Sequence, residues 1–213
     1  MIKLNCPSCG GEINFRSKTS VFAVCGFCLS NIVRHDVDLS LLGKQSELQE
    51  DMSPITIGSL GKFNNVPFFV CGRIIVRWED GYWNEWYITF KNGTDGWLVE
   101  AQGDFAILTA APSSIQIPAS KDVVVGNRIN LGSESFVATD IKTMTCVGSE
   151  GELPFNGIEG RESVSIDLEK SDGQFATIEY NADDGMSCYL GRYISLNKLK
   201  MIGLREFEGW GRP

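Results

Sequence analysis

Cys6-Pro7-Ser8-Cys9 and Cys25-Gly26-Phe27-Cys28 put two CxxC pairs, 15 residues apart, into the first 28 residues. Each pair suits a tight turn whose two thiols converge, with Pro7-Ser8 in the first turn, Gly10-Gly11 after it and Gly26 inside the second. Two such knuckles place four thiolates around one tetrahedral ion, and zinc is the metal that this donor set takes. One structural Zn2+ held by Cys6, Cys9, Cys25 and Cys28 is therefore expected. Between the knuckles, Ile13, Phe15, Val21, Phe22 and Val24 flank a polar Arg16–Ser20 turn. That pattern predicts a hairpin from Glu12 to Val24 joining the knuckles, and so a zinc ribbon over 1–36. A redox CxxC would need a βαβ context, which is missing. Disulfides would need an oxidising compartment, and Met1-Ile2-Lys3-Leu4-Asn5 carries no apolar leader, so reduced thiols in a cytoplasmic protein are expected. His35, the single histidine, is surplus to a filled coordination shell and excludes a His-rich catalytic metal centre.

At 213 residues the chain has room for one large or two small domains besides the ribbon. No apolar run approaches the ~20 residues needed to span a bilayer. The net charge of −8 is uneven: residues 1–45 hold five Lys/Arg against three Asp/Glu, and the remainder holds 14 against 24. Four thiolates on a zinc ion add about −2 to the ribbon. A nucleic-acid partner asks for a Lys/Arg face, and this balance argues against one.

Leu39, Leu41, Leu42 and Leu48 with Glu47, Gln49 and Glu50 predict a short helical linker over 37–54, interrupted by Gly43 and ended before Ser53-Pro54. From Ile55 onward, short β-branched and aromatic runs alternate with Gly, Asn-Gly and Asp-Gly turns, so the chain is mostly β. The pattern repeats. Ile57-Gly58 recurs as Val125-Gly126 and Phe68-Phe69-Val70 as Phe136-Val137-Ala138, both 68 residues on. Gly81–Glu85 matches Gly148–Glu152 at an offset of 67. Tyr87–Phe90 with Asn92-Gly93 then matches Ser165–Leu168 with Asp172-Gly173 at an offset near 80, which implies an inserted loop at 153–162. Asn-Gly and Asp-Gly between strand-like runs are strong hairpin signals. The expected organisation is a first repeat over 55–110, a linker over 111–122 and a second repeat over 123–213. Each repeat would curl into a small SH3-like barrel, or both would build one pseudo-symmetric sandwich.

No nucleophile elbow, phosphate loop or dinucleotide fingerprint appears, and no histidine is placed to serve a Ser or Cys nucleophile. A non-enzymatic protein is expected, with Cys71, Cys146 and Cys188 as buried free thiols. Trp83, Glu85, Trp86, Trp97 and Glu100 fall in two consecutive strand segments. Alternation puts Trp83, Glu85 and Tyr87 on one face, Trp86 and Ile88 on the other. Indole rings beside carboxylates suit an organic cation, although large aromatics also build the cores of small β-domains. Phe155 lies in the inserted loop, where apolar side chains among glycines suit a protein partner or a fold-back over a barrel mouth.

The segments CPSCGGEINFRSKTSVFAVCGFCLS, GYWNEWYITF, GWLVEAQG, EGELPF, GQFATIEY and YLGR resemble the bacterial domain of unknown function 4178 across nearly the whole chain. The resemblance implies no chemistry. It implies a genomic setting beside phage-shock-protein-A-like membrane-remodelling proteins, small membrane proteins and polyamine-synthesis enzymes. The expectation drawn from residues and resemblance together is a zinc-binding adaptor in a membrane-stress or envelope-maintenance system. It would be cytoplasmic, reach the membrane through a protein partner of one of those classes, and bind no nucleic acid. The alternative is a sensor binding a polyamine-like cation at the Trp83/Glu85/Trp97/Glu100 region.

Overall fold

A computed structural model describes residues 1–36, 38–48 and 51–207. The cysteine pairs organise the N-terminal strands β1 (Ile2–Asn5), β2 (Glu12–Phe15), β3 (Phe22–Val24) and β4 (Ser30–His35). Each knuckle closes its own hairpin: β1 pairs with β2 around the first, and β3 with β4 around the second. The expected β2–β3 hairpin is thus corrected. β3 spends its other edge on a strand of the main body, so β2 is left to β1.

The helical linker is also overturned. Asp38–Lys44 is a strand, β5, lying antiparallel on β4 after a turn at Asp36, whose φ is +53°. Backbone pairing to β4 outweighs a leucine pattern too short to nucleate a helix, and Gly43 at φ +139° is incompatible with one. Val37, Gln49 and Glu50, also part of that expectation, lie outside the described residues.

The body is mostly β, as the turn chemistry indicated. Its strands are β6 (Leu60–Phe63), β7 (Val66–Trp78), β8 (Gly81–Phe90), β9 (Asp95–Ala101), β10 (Asp104–Ala110), β11 (Arg128–Leu131), β12 (Glu134–Leu153), β13 (Glu162–Glu169), β14 (Gln174–Asn181) and β15 (Gly185–Tyr193). β6 and β7 begin 68 residues before β11 and β12, and β8, β9 and β10 begin 79 to 81 before β13, β14 and β15. Gly93 and Gly173 turn at φ +88° and +80° in matching hairpins. One equivalence does not hold: Gly81–Glu85 opens β8, whereas Gly148–Glu152 lies inside the 20-residue β12.

Antiparallel pairing runs β12-β13-β14-β15-β10-β9-β8-β7, and β7 pairs back onto β12. The two halves therefore share one closed ring of eight strands, with seams at β7–β12 and β10–β15. Residue alternation sorts the side chains into three cores. Phe68, Val70, Trp86, Ile88, Phe90, Leu98 and Ile107 fill the first half under Ile55 and Leu199. Phe136, Ala138, Ile166, Leu168, Ala176 and Ile178 fill the second under Val123 and Leu131. Cys71, Ile74, Val76, Tyr87, Trp97, Leu108, Met144, Cys146 and Phe175 meet on the shared inner face. The ribbon supplies Phe22 and Val24 to that last core, through β3 paired to Glu152 and Leu153 at the end of β12.

Candidate functional site: a four-cysteine centre and a polar pocket inside the ring

The four Sγ atoms of Cys6, Cys9, Cys25 and Cys28 all lie within 4.8 Å of one another. Cys6 to Cys28 and Cys9 to Cys25 are each 3.7 Å. A tetrahedral ion with metal–sulfur bonds of about 2.3 Å holds its sulfurs about 3.8 Å apart, so the cradle has the dimensions of such a centre. The donors fit a thiophilic ion. The Ser30 hydroxyl, 3.2 Å from Cys28 Sγ, helps lower that thiol to about 6. At Cys9, the Gly11 N–H at 3.5 Å favours the thiolate, but the neighbouring sulfurs and desolvation push the thiol up to about 12. His35 is exposed at the end of β4 and outside the cluster.

Polar contacts lock this centre onto the ring. Glu152, buried beside the ribbon, accepts the Arg16 N–H at 2.7 and 2.9 Å and the Ser17 N–H at 3.3 Å. Burial raises its carboxyl above the usual range despite these donors. Ser17 and Thr19 hydroxyls donate to Asp95 Oδ2 at 2.9 and 2.6 Å and contact the Tyr87 hydroxyl at 3.0 and 2.6 Å. Arg16 lies 4.1 Å from the Phe69 ring centroid. The turn between β2 and β3 is therefore a plug held by both halves' strands.

The remaining candidate residues divide between two environments. Trp83 Nε1 donates to Glu85 Oε1 at 2.7 Å, and both project to the ring interior. Trp97 and Phe155 join the same interior, their rings stacked at 5.7 Å. Trp86 and Glu100 face the other way. Trp86, 1% exposed, packs in the first-half core and donates from Nε1 to Glu100 Oε2 at 3.0 Å. Glu100 also accepts from Ser53 Oγ at 2.6 Å and Asn84 Nδ2 at 3.2 Å.

Beside Glu100, Arg73 is 3% exposed. It pairs with Asp51, donates to Asn84 Oδ1 from Nε at 3.0 Å and Nη2 at 2.7 Å, and lies 4.7 Å from the Trp86 centroid. Glu150 completes the group at 3.3 Å. The network ties the segment around Asp51 to the ring. Removal of a fully buried ionic partner costs about 3–5 kcal/mol. Asp51 and Glu150 are 31% and 43% exposed, and water screens them. Arg73→Met should therefore lower unfolding free energy by about 2 kcal/mol. Denaturant melts and faster amide exchange at 51–55 would check this.

Sequence reasoning missed the partners of Glu85. Glu179 on β14 shares its cavity with Arg161, Ser163, Met144 and Cys146. Desolvation raises both carboxyls above the usual carboxylate range. The cavity measures about 10 Å³, room for one water and not for an amine chain. The only hint in the sequence was a glutamate within the strand-like Gln174–Asn181 run. Cys71, Cys146 and Cys188 are buried free thiols, as expected, and burial raises all three.

The model of the domain of unknown function DUF4178 matches residues 56–196, which is the ring with both halves and their linker. The chain belongs to the DUF4178 family. The ribbon lies outside the matched residues and docks on the matched domain through β3 and β12. No curated protein and no solved structure matches the chain. No helix among the described residues is long and apolar enough to cross a membrane.

Proposed function

We propose that this DUF4178 chain is a non-enzymatic, zinc-binding adaptor in a bacterial membrane-stress or envelope-maintenance system, and that it grips an extended, Lys/Arg-bearing segment of a protein partner. The observation that carries this reading is a groove of about 1830 Å³ beside the Arg73–Glu100 network. That exceeds the ~300–1,000 Å³ of ordinary small-molecule pockets and suits a length of polypeptide. Its walls include Tyr82, Phe105 and Tyr193 for aliphatic stems and cations. Glu47, Asp104 and Glu159 stand there against Lys198 and Arg205, besides Asp51 and Glu100 of the buried network. Such a surface repels nucleic acid and attracts a basic tail. Zinc suits four cysteine donors and would hold the ribbon without contributing an open catalytic position.

The test is crosslinking capture from native cells, with soluble and membrane fractions kept apart. The parent is compared with the double variant Asp104→Lys/Glu159→Lys, two exposed groove residues. Recovery of a membrane-remodelling or small membrane protein by the parent, with at least about tenfold less by the variant, supports the reading. Equal recovery by both, or recovery of this chain alone, overturns it. Native mass spectrometry should find one zinc per chain, absent after Cys6→Ser.

A further inference from the structure

Closure removes the free edges of the ring's eight strands, but the sheet continues from β12 through β3 and β4 and ends at β5. β5 pairs with β4 along one side, and among the described residues no strand pairs with its other side. Its side chains are open as well. Leu39 packs on the ribbon core, but Leu41, opposite the fully buried Ile32, is 51% exposed and Leu42 is 50% exposed. The ribbon core therefore stops at this rim. Asp38 and Lys44, at the two ends of the strand, are exposed, and neither has an ion pair or side-chain hydrogen bond among the described residues.

A strand edge with two exposed leucines takes up another strand unless something guards it. The guards here are Lys44 and a bulge: the register against β4 shifts between Asn31 and Ile32, and Gly43 takes φ +139° there. A lysine on the rim disfavours a strand that sets a cation against it and favours one that brings an acid. β5 is itself such a strand. Laid antiparallel on the β5 of a second copy, about a two-fold axis through Leu41, it sets Leu41 against Leu41, Ser40 against Leu42, Leu39 against Gly43 and Asp38 against Lys44. The two-fold axis makes the Asp38–Lys44 pair occur twice, once at each end of the match. Every other antiparallel register separates the two charges. The two Leu41 side chains, meeting on the axis, continue each ribbon core into the other.

We infer that the chain self-associates through β5, the ribbon sheets of two copies joining edge to edge into one antiparallel sheet. A single strand edge is a small interface, so the dimer forms and dissociates with concentration and is not obligate.

Sedimentation velocity of the full chain, with its metal in place, should show a monomer–dimer equilibrium between about 1 and 100 µM. Amide exchange over 38–44 should slow as the dimer fills. Asp38→Lys turns both cross-strand attractions into repulsions and should weaken association about tenfold or more, and Lys44→Asp should do the same. The double variant Asp38→Lys/Lys44→Asp restores opposite charges at the same places and should recover the parent's association. Leu41→Lys sets two ammonium groups together on the axis and should abolish it. All three positions are exposed, so each variant should keep the parent's melting temperature and metal content, which calorimetry and native mass spectrometry check. A parent that stays monomeric to about 100 µM overturns the dimer and leaves the edge to a strand of another protein. Association that single charge reversals leave intact, or that the folded double variant fails to recover, overturns this pairing. The parent's exchange over 38–44 decides the matter where a variant fails to fold: no slowing with concentration would sink it.

Discussion

Stripping the ion from the four-cysteine centre is expected to unfold the ribbon and to weaken the ring without melting it. The ribbon's own core is small: Ile13, Phe15, Ala23 and Ile32 beside Cys6 and Cys25. Structural zinc contributes about 10–16 kcal/mol of apparent binding free energy at neutral pH in comparable small modules, which is their folding free energy. Chelation, or Cys25→Ser at a position 0% exposed, should therefore abolish amide protection over 1–36. The ring feels the loss through named contacts. Phe22 and Val24 leave the shared interior, and Glu152 loses the Arg16 and Ser17 N–H donors that satisfy it. Water can then reach Glu152, so the main cost is the lost burial around Phe22 and Val24, at about 1.5–3 kcal/mol for a side chain of that kind. At about 2–4 °C per kcal/mol for a domain of this size, the ring's melting temperature should fall by roughly 5–10 °C. Calorimetry with and without chelator measures it. An unchanged ring transition after the ribbon has lost protection would show that the docking contacts contribute nothing.

The second large effect is expected at the seams. Gly191 on β15 crosses β10 so closely that an added Cβ would lie 1.9 Å from the Ile107 carbonyl oxygen. Gly72 on β7 stands in the same relation to the Glu152 carbonyl at the other seam, also at 1.9 Å. Backbone, unlike a flexible side chain, has nowhere to go, so any side chain forces the strands apart. Gly191→Ala should cost about 3 kcal/mol and lower the melting temperature by roughly 6–12 °C. Gly81→Ala is the control. Its Cβ would meet only Trp78 Nε1 at an ordinary 3.7 Å, and its effect should stay below about 1 kcal/mol. Equal effects from the two would mean that the close crossing is not what limits the ring.

Much of this architecture was legible because it rests on local chemistry. CxxC spacing announces a metal cradle. Asn92-Gly93 and Asp172-Gly173 announce hairpins, since only such residues accept the left-handed backbone that the turns use. The alternation in β8 sorted Trp83, Glu85 and Tyr87 from Trp86 and Ile88 before any contact was known. Where local chemistry was ambiguous, reading failed. The Leu39–Leu42 cluster suited a helix until β4 offered a pairing edge, and β3 left β2 because β12 offered another. The candidate pocket divided because Glu100 and Trp86 belong to a face that Trp83 and Glu85 do not share.

The sequence by itself determined the four-cysteine cradle, the strand-rich character, the repeat and the two-faced pattern of each strand. These follow from backbone sterics, thiol chemistry and period-two alternation within a few neighbouring residues. Only the tertiary structure decided that the halves close into one ring, that the ribbon plugs it, and that Glu85 and Glu179 line one cavity. Those contacts join residues scores of positions apart. Burial and backbone pairing across the seams select them, and no local signal in the chain encodes which distant edge a strand will find.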